Sequence, residues 1–311
     1  MRATALVLLA SAGIVWSGAA GAASFDCANA ATPAEKAICA DPALSKADDE
    51  LAAAYKTARA ATLDPASLRR AQREWLQNRD RTDVGQNYLL AYTNRIAELT
   101  KQAQAWRALP RQFAAAKLAS ACFPEPEADD DATCSVEDSG IVAGAPTLRY
   151  QLLGFTEDQL RASGAVVVFA ARADGMLTPL IVDYGDTGHY GKPRVFAAAD
   201  GTLLFIPGHM EGTGDFSLDE LFVQVAGAWR DVDVDTWQTV LAHRLPKGLA
   251  VWKGIYPDYQ KMTASTPLWR KTDGNCCPTG GRADVTLRLV GTVLTIDTLK
   301  VTLGADAAGQ E

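Results

Sequence analysis

The sequence predicts an α+β protein of two domains: an N-terminal antiparallel helical bundle with a disulfide, then a C-terminal, mostly antiparallel β domain. Three observations predict it. Apolar residues recur at spacings of three and four up to about residue 106, then give way to short runs broken by Gly, Pro and Asp from residue 146. Two cysteines, Cys27 and Cys39, bracket a helix start. Six cysteines in all follow a segment with the pattern of an export signal.

That segment is residues 1–23. Arg2 gives a cationic start, Ala5-Leu6-Val7-Leu8-Leu9-Ala10 an apolar core, and Ala20-Gly21-Ala22-Ala23 a small-residue cleavage site. The core is short and broken by Ser11, Gly13, Ser17 and Gly18, whereas a spanning helix needs about 20 mostly apolar residues. A signal peptide is expected, leaving a periplasmic or secreted bacterial protein with no membrane span after cleavage.

Residues 24–106 are expected to be helical. Thr32-Pro33-Ala34-Glu35 is a capping box with proline at the first helical position. A second helix follows Asp41-Pro42, with Leu44, Leu51, Tyr55 and Ala58 on one stripe. Asp64-Pro65 marks a turn and a new start, and Leu68, Ala71, Trp75 and Leu76 give the third helix its apolar face. Leu89, Tyr92, Ile96, Leu99, Ala103 and Trp106 do so for the fourth. Short connections favour an antiparallel bundle. Residues 107–145 read as an acidic connection, in which 111–121 continue as helix before Pro124-Glu125-Pro126-Glu127 and Asp129-Asp130-Asp131.

Residues 146–311 read as a β-rich domain. Strand candidates are Ala165–Phe169, Leu180–Val182, Leu203–Ile206, Leu221–Val225, Val285–Leu289 and Val293–Val301, with turns at Ala173-Asp174-Gly175 and Ala199-Asp200-Gly201. One helix is expected over 235–243. Alternating Asp231-Val232-Asp233-Val234-Asp235 reads as an edge strand with one wet face.

Charge excludes one class of partner. The chain carries 30 Lys and Arg against 37 Asp and Glu, a formal net charge of −7. No basic block or basic–aromatic interleaving suits nucleic acid. Residues 24–106 are electrically balanced, and the acidic excess lies beyond them. A cationic partner is favoured over a polyanion. The even number of cysteines in an exported chain argues for disulfides. Spacing suggests Cys27–Cys39 and Cys122–Cys134; Cys276 and Cys277 either bridge each other or take distant partners.

The segments Phe25-Asp26-Cys27-Ala28, Thr32-Pro33-Ala34-Glu35 and Ala37-Ile38-Cys39-Ala40-Asp41 occur in order, followed by Leu44, Asp49, Leu51 and Tyr55. Then come Gln72-Arg73-Glu74-Trp75-Leu76-Gln77-Asn78-Arg79-Asp80 and Tyr92-Thr93-Asn94-Arg95-Ile96-Ala97-Glu98-Leu99. This ordered set resembles the N-terminal domain of the lysozyme inhibitor LprI family. The resemblance implies a small exported helical domain, associated in some members with inhibition of lysozyme. Members of that family commonly carry two further cysteines, after the Arg-Asp motif and before the Tyr-rich helix; here Arg81-Thr82-Asp83-Val84-Gly85-Gln86-Asn87-Tyr88 has neither. Their joint absence supports pairing of Cys27 with Cys39. It also leaves the loop between the third and fourth helices without a clamp. Residues 146–311 resemble no characterised family.

Chemistry is sparse. Gln72, Arg73, Trp75, Arg79, Asp80 and Arg95 are the candidate partner-binding patch; residues 72 and 79 share a helix face with Trp75. The competing reading is an ion-paired bundle surface that sets helix register. His189 and His209 lie in glycine-rich turns, but without a metalloprotease helix pairing they make a weak metal or acid–base site. Asp231–Asp235 imitates a calcium loop, yet Thr236 stands where glycine is required and Ala242 where glutamate is required. Trp229, Trp237, Trp252 and Trp269 can line a carbohydrate groove or, more simply, anchor a core. No catalytic residue, cofactor or metal is assigned. The expected function is non-catalytic protein binding in the cell envelope, with a cationic lysozyme-like muramidase as the leading partner. The alternative is an envelope hydrolase or carbohydrate-binding module centred on the β-rich part.

Overall fold

A computed structural model describes residues 24–81, 87–126, 133–157, 160–185, 188–210, 212, 214 and 216–304. Residues 1–23, expected to be a signal peptide, most of the loop after Arg81 and the Asp129–Asp131 run lie outside the described residues. Two compact units are present: Met1–Lys56 with Leu76–Leu99, and Thr57–Trp75 with Thr100–Glu311. The division falls within three helices: α2 (Pro42–Ala61), which follows α1 (Pro33–Ala40), then α3 (Pro65–Arg81) and α4 (Tyr88–Ala108).

In the first unit the expected capping box is formed. Thr32 Oγ1 accepts from the Glu35 amide at 3.1 Å, and the Glu35 carboxylate accepts from the Thr32 and Ala31 amides at 2.8 and 2.7 Å. These amides hold the Glu35 carboxyl below its ordinary range. Proline fits the first helical position because its missing N–H would have no intrahelical acceptor there. The Cys27–Cys39 disulfide ties a 3-10 turn at Cys27–Asn29 to α1. Ala34, Ile38, Leu44, Leu51, Tyr92 and Leu99 form the buried apolar set.

The second unit stacks three antiparallel sheets. The first, in the order β1-β5-β4-β3-β2, comprises β1 (Phe113–Ala114), β2 (Thr133–Val142), β3 (Ala145–Glu157), β4 (Leu160–Ala171) and β5 (Met176–Gly185). A two-stranded ribbon follows, made of β6 (Gly188–Tyr190) and β9 (Gly208–Met210). Between them in sequence lie β7 (Arg194–Ala198) and β8 (Gly201–Ile206). With β10 (Glu220–Val225) and β11 (Ala228–Asp231) these two make the second sheet, ordered β11-β10-β8-β7. After α5 (Thr236–Arg244) comes the third, ordered β12-β13-β14-β15: β12 (Leu249–Ala250), β13 (Thr263–Arg270), β14 (Gly281–Val290) and β15 (Val293–Leu303).

Strand periodicity explains the layering. In β4, Ala165, Val167 and Phe169 face a core with Phe113, Phe123 and Leu177, while Val166 and Val168 face the opposite core with Leu204, Ile206 and Phe222. Both faces are dry, so β4 is a continuous apolar run and not an alternating one. The second sheet is likewise covered twice. Its other face presents Leu203, Phe205, Leu221 and Val223 to Trp237 and Leu241 of α5 and to Leu268, Val285 and Leu294 of the third sheet.

Two local expectations fail. Residues 111–121 do not continue as helix: Phe113–Ala114 pair with Met176 and Leu177, and only a short 3-10 turn follows. Pairing to β5 and burial of Phe113 outweigh the helix propensity of the Ala-rich run. The Asp231–Asp235 run is not a half-wet edge strand either. Val232 and Val234 are buried, and so are Asp231 and Asp233, because arginines of α3 meet them.

Candidate functional site

The candidate partner-binding residues separate between the two units. In the first, Arg79 is buried and donates to the Tyr92 hydroxyl at 2.8 Å and to Asp80 at 2.9 Å. Tyr92 in turn donates to Asp48 Oδ1 at 2.9 Å, and Asp48 Oδ2 accepts from the Ser24 amide and hydroxyl. Burial holds the Tyr92 hydroxyl above its ordinary range. Arg95, 4% exposed, pairs with Glu98 at 2.8 Å. Arg79 and Arg95 therefore sit inside the helical unit as polar struts. Asp80 stays half-buried beside Arg79.

In the second unit Arg73 pairs with Asp233 and, at 3.6 Å, with Asp235. Arg69 pairs with Asp231 and, at 3.8 Å, with Asp235; Arg59 approaches Asp231 at 3.9 Å. Asp233 also accepts from the Asp235 and Thr236 amides at the start of α5. Gln72 and Trp75 are half-buried on the same helix.

The second unit also holds a buried polar cluster that sequence reasoning missed. Asp64 caps α3, accepting from the Ser67 amide at 2.9 Å. Asp183 ends the apolar run of β5, and Glu220 opens β10. All three are buried, and one carboxylate oxygen of each lies within 4.8 Å of the others. Arg70 Nη1 is 3.4 Å from Glu220 Oε1 and its Nη2 3.9 Å from Asp183 Oδ2; it also donates to Ser67 Oγ at 2.7 Å. Ser67 Oγ donates to Asp183 Oδ1 at 3.3 Å. Burial first, and then the Asp183 charge, push the Asp64 and Glu220 carboxyls well above the ordinary carboxylate range. The same causes push up the Tyr190 hydroxyl. A cleft of about 230 Å³ reaches this cluster, lined by Asp64, Ser67, Trp106, Glu125 and Tyr184 among others. The available signal was an acid set against each apolar strand run, in Ile181-Val182-Asp183 and Glu220-Leu221-Phe222.

The remaining candidates are placed as follows. His189 and His209 are cross-strand partners in the β6–β9 ribbon, with rings stacked 5.2 Å apart. Among the described residues they belong to no group of three metal-ligating side chains; Asp64, Asp183 and Glu220 form that group. Trp237 is fully buried and Trp269 nearly so, whereas Trp252 is 56% exposed. Trp252 and Trp269 line a groove with Asp273 and Asn275. Cys122 pairs with Cys134, and Cys276 with Cys277. Among the described residues no helix is long and apolar enough to cross a membrane.

Residues 27–106 match the family model described as lysozyme inhibitor LprI. No curated protein and no solved structure matches the chain.

Proposed function

We propose that the chain is an exported, non-catalytic binding protein of the cell envelope that inhibits a cationic, lysozyme-like muramidase. The observation that carries this reading is the match of residues 27–106 to the lysozyme inhibitor LprI family. Charge disposition supports it. The matched stretch is rich in arginine, yet Arg79 and Arg95 are buried in the first unit, and Arg69, Arg70 and Arg73 are paired with carboxylates in the second. These arginines are offset by carboxylates or buried, Lys46, Lys56, Arg59, Arg81 and Lys101 stay exposed, and the net acidic surplus of the chain lies beyond residue 106. The test is lysis of a peptidoglycan suspension by a c-type lysozyme, with the chain beginning at Ser24 added in molar excess. Slowed lysis with saturable binding is the expected result. No binding at micromolar concentration overturns the reading.

A second reading has one observation in its favour. Trp252 holds an exposed indole over a groove of about 580 Å³ that Asp273 and Asn275 also line, a composition suited to stacking on a sugar ring. Retention on insoluble peptidoglycan, lost on Trp252→Ala, would favour a glycan-binding module.

A further inference from the structure

We infer that Asp64, Asp183 and Glu220 form a binding site for one hard divalent cation, of the calcium type, that locks α3 onto the first and second sheets of the second unit. The inference is independent of lysozyme binding.

Four observations carry it. First, the three carboxylates come from three separate elements and converge so that one oxygen of each lies within 4.8 Å of the others. Oxygen ligands sit roughly 2.3–2.6 Å from Ca²⁺, so two ligands of one ion are at most about 5 Å apart, and this spacing fits a single ion. Second, the cluster is not fully satisfied from within the protein. Asp183 Oδ2 and Glu220 Oε2 are fully buried, and the groups that approach them as donors are each other's carboxyls, the Tyr190 hydroxyl and Arg70. Asp183 itself is 0% exposed and Glu220 2%. A buried acceptor without a full set of donors costs about 1–3 kcal/mol, more when charged, so two such carboxylate oxygens at one point leave room for a further partner.

Third, the local charge has the right size. With all three carboxylates ionised, Arg70 leaves two negative charges, which one divalent cation neutralises in place of the protons that burial otherwise favours on Asp64 and Glu220. Arg70 cannot do this alone: it engages Glu220 Oε1 and stands 3.9 Å from Asp183 Oδ2, which leaves Glu220 Oε2 to another ligand. Fourth, there is a route in. The cleft that reaches Asp64 and Ser67 is also lined by Glu125, so its wall is acidic where a cation would enter.

The donor chemistry selects the metal. Every charged ligand is a carboxylate, and the neutral groups at hand are the Ser67 and Tyr190 hydroxyls; no sulfur or imidazole takes part. All-oxygen sets suit Ca²⁺, Mg²⁺ or Mn²⁺, and zinc sites favour His and Cys. Three carboxylates fixed on a helix cap and two strands favour Ca²⁺ over the more strongly hydrated Mg²⁺, which keeps several waters.

The experiment uses the whole chain from Ser24, stripped with EDTA and dialysed. Isothermal titration with CaCl₂, MgCl₂, MnCl₂ and ZnCl₂ is paired with thermal melts in each salt. The expected result is about one Ca²⁺ per chain, a melting temperature raised by several degrees, and loss of both responses in Asp183→Asn/Glu220→Gln. A second variant, Asp64→Asn, keeps the Ser67 cap acceptor and should weaken Ca²⁺ binding at least tenfold while folding normally by circular dichroism. The inference is overturned if no cation binds the stripped wild-type chain at millimolar concentration. It is equally overturned if binding survives in Asp64→Asn at wild-type affinity.

Discussion

Tyr92 shows how a residue that looks purely apolar in sequence carries a polar duty. Its position on the 3.6-residue stripe of α4 made it a core side chain, and its ring is indeed fully buried. Its hydroxyl nevertheless bridges Arg79 at 2.8 Å and Asp48 at 2.9 Å, which lie on α3 and α2. Tyr92→Phe keeps the ring and removes the bridge between two buried charges. The expected cost is about 1–3 kcal/mol, read as a lower urea midpoint; an unchanged midpoint would mean the ring alone matters. Asp219 offers a residue-scale pH test. It accepts from the Gly208 amide at 3.1 Å, and burial pushes its carboxyl up to about 6. In the unfolded chain the group titrates near ~3.9, so between those values the folded state holds more protons than the unfolded one. Stability from this group is therefore present at low pH, falls as pH rises through that window, and is flat above it. Asp219→Asn keeps an acceptor for the amide and abolishes this contribution. The wild type should lose on the order of 2 kcal/mol relative to the variant between about pH 4 and 7. Parallel pH profiles for the two proteins would contradict the assignment.

At the scale of elements, what the sequence disclosed depended on how local the cause was. The capping box at Thr32–Glu35, the Cys27–Cys39 clamp and the strand runs of β4, β8 and β15 all rest on short-range pattern, and all were legible. The clamp closes a 12-residue separation, so Cys27→Ser with Cys39→Ser should cost about 2–3 kcal/mol; an unaltered thermal midpoint would contradict this. Helix α3 was only half legible. Leu68 of its expected apolar face is buried while Ala71 is exposed; Arg73 was read as part of a partner-binding or ion-paired surface, and Arg69 and Arg70 had no assigned role. Arg69, Arg70 and Arg73 have partners 150 to 162 residues away, in β10, at the end of β11 and in the segment before α5, and no local pattern announces such pairing. The Asp64–Asp183–Glu220 cluster was hidden for the same reason, since its members belong to three distant segments. Breaking one such pair tests the element. The Arg69 side chain is 11% exposed and that of Asp231 4%, so Arg69→Ala leaves a buried carboxylate offset, among the described ion pairs, by Arg59 at 3.9 Å. The expected loss is about 3–5 kcal/mol, with the double variant Arg69→Ala/Asp231→Ala less destabilised than the two singles summed. Strict additivity in that cycle would show the pair to be energetically idle.

At the scale of the molecule, the argument turns on charge and where it is spent. A formal net charge of −7 is modest for 311 residues, and by itself it serves solubility as well as recognition. The pairing pattern bears on its distribution, because Arg69, Arg70 and Arg73 of the family-matched stretch are engaged by carboxylates and Arg79 and Arg95 are buried. On the function proposed above, a basic enzyme would meet a chain whose net charge attracts it. Such attraction acts on encounter more than on the lifetime of the complex. The association rate with lysozyme should fall by roughly tenfold as salt rises from about 20 to 300 mM, with the dissociation rate nearly constant. Stopped-flow or surface-plasmon measurements over that range check it. An association rate indifferent to salt would move the contact away from charge and toward the exposed side chains Leu89 and Leu90 at the start of α4. In that case Leu89→Ser/Leu90→Ser would be the variant that raises the dissociation rate, and the acidic surplus would have no part in recognition.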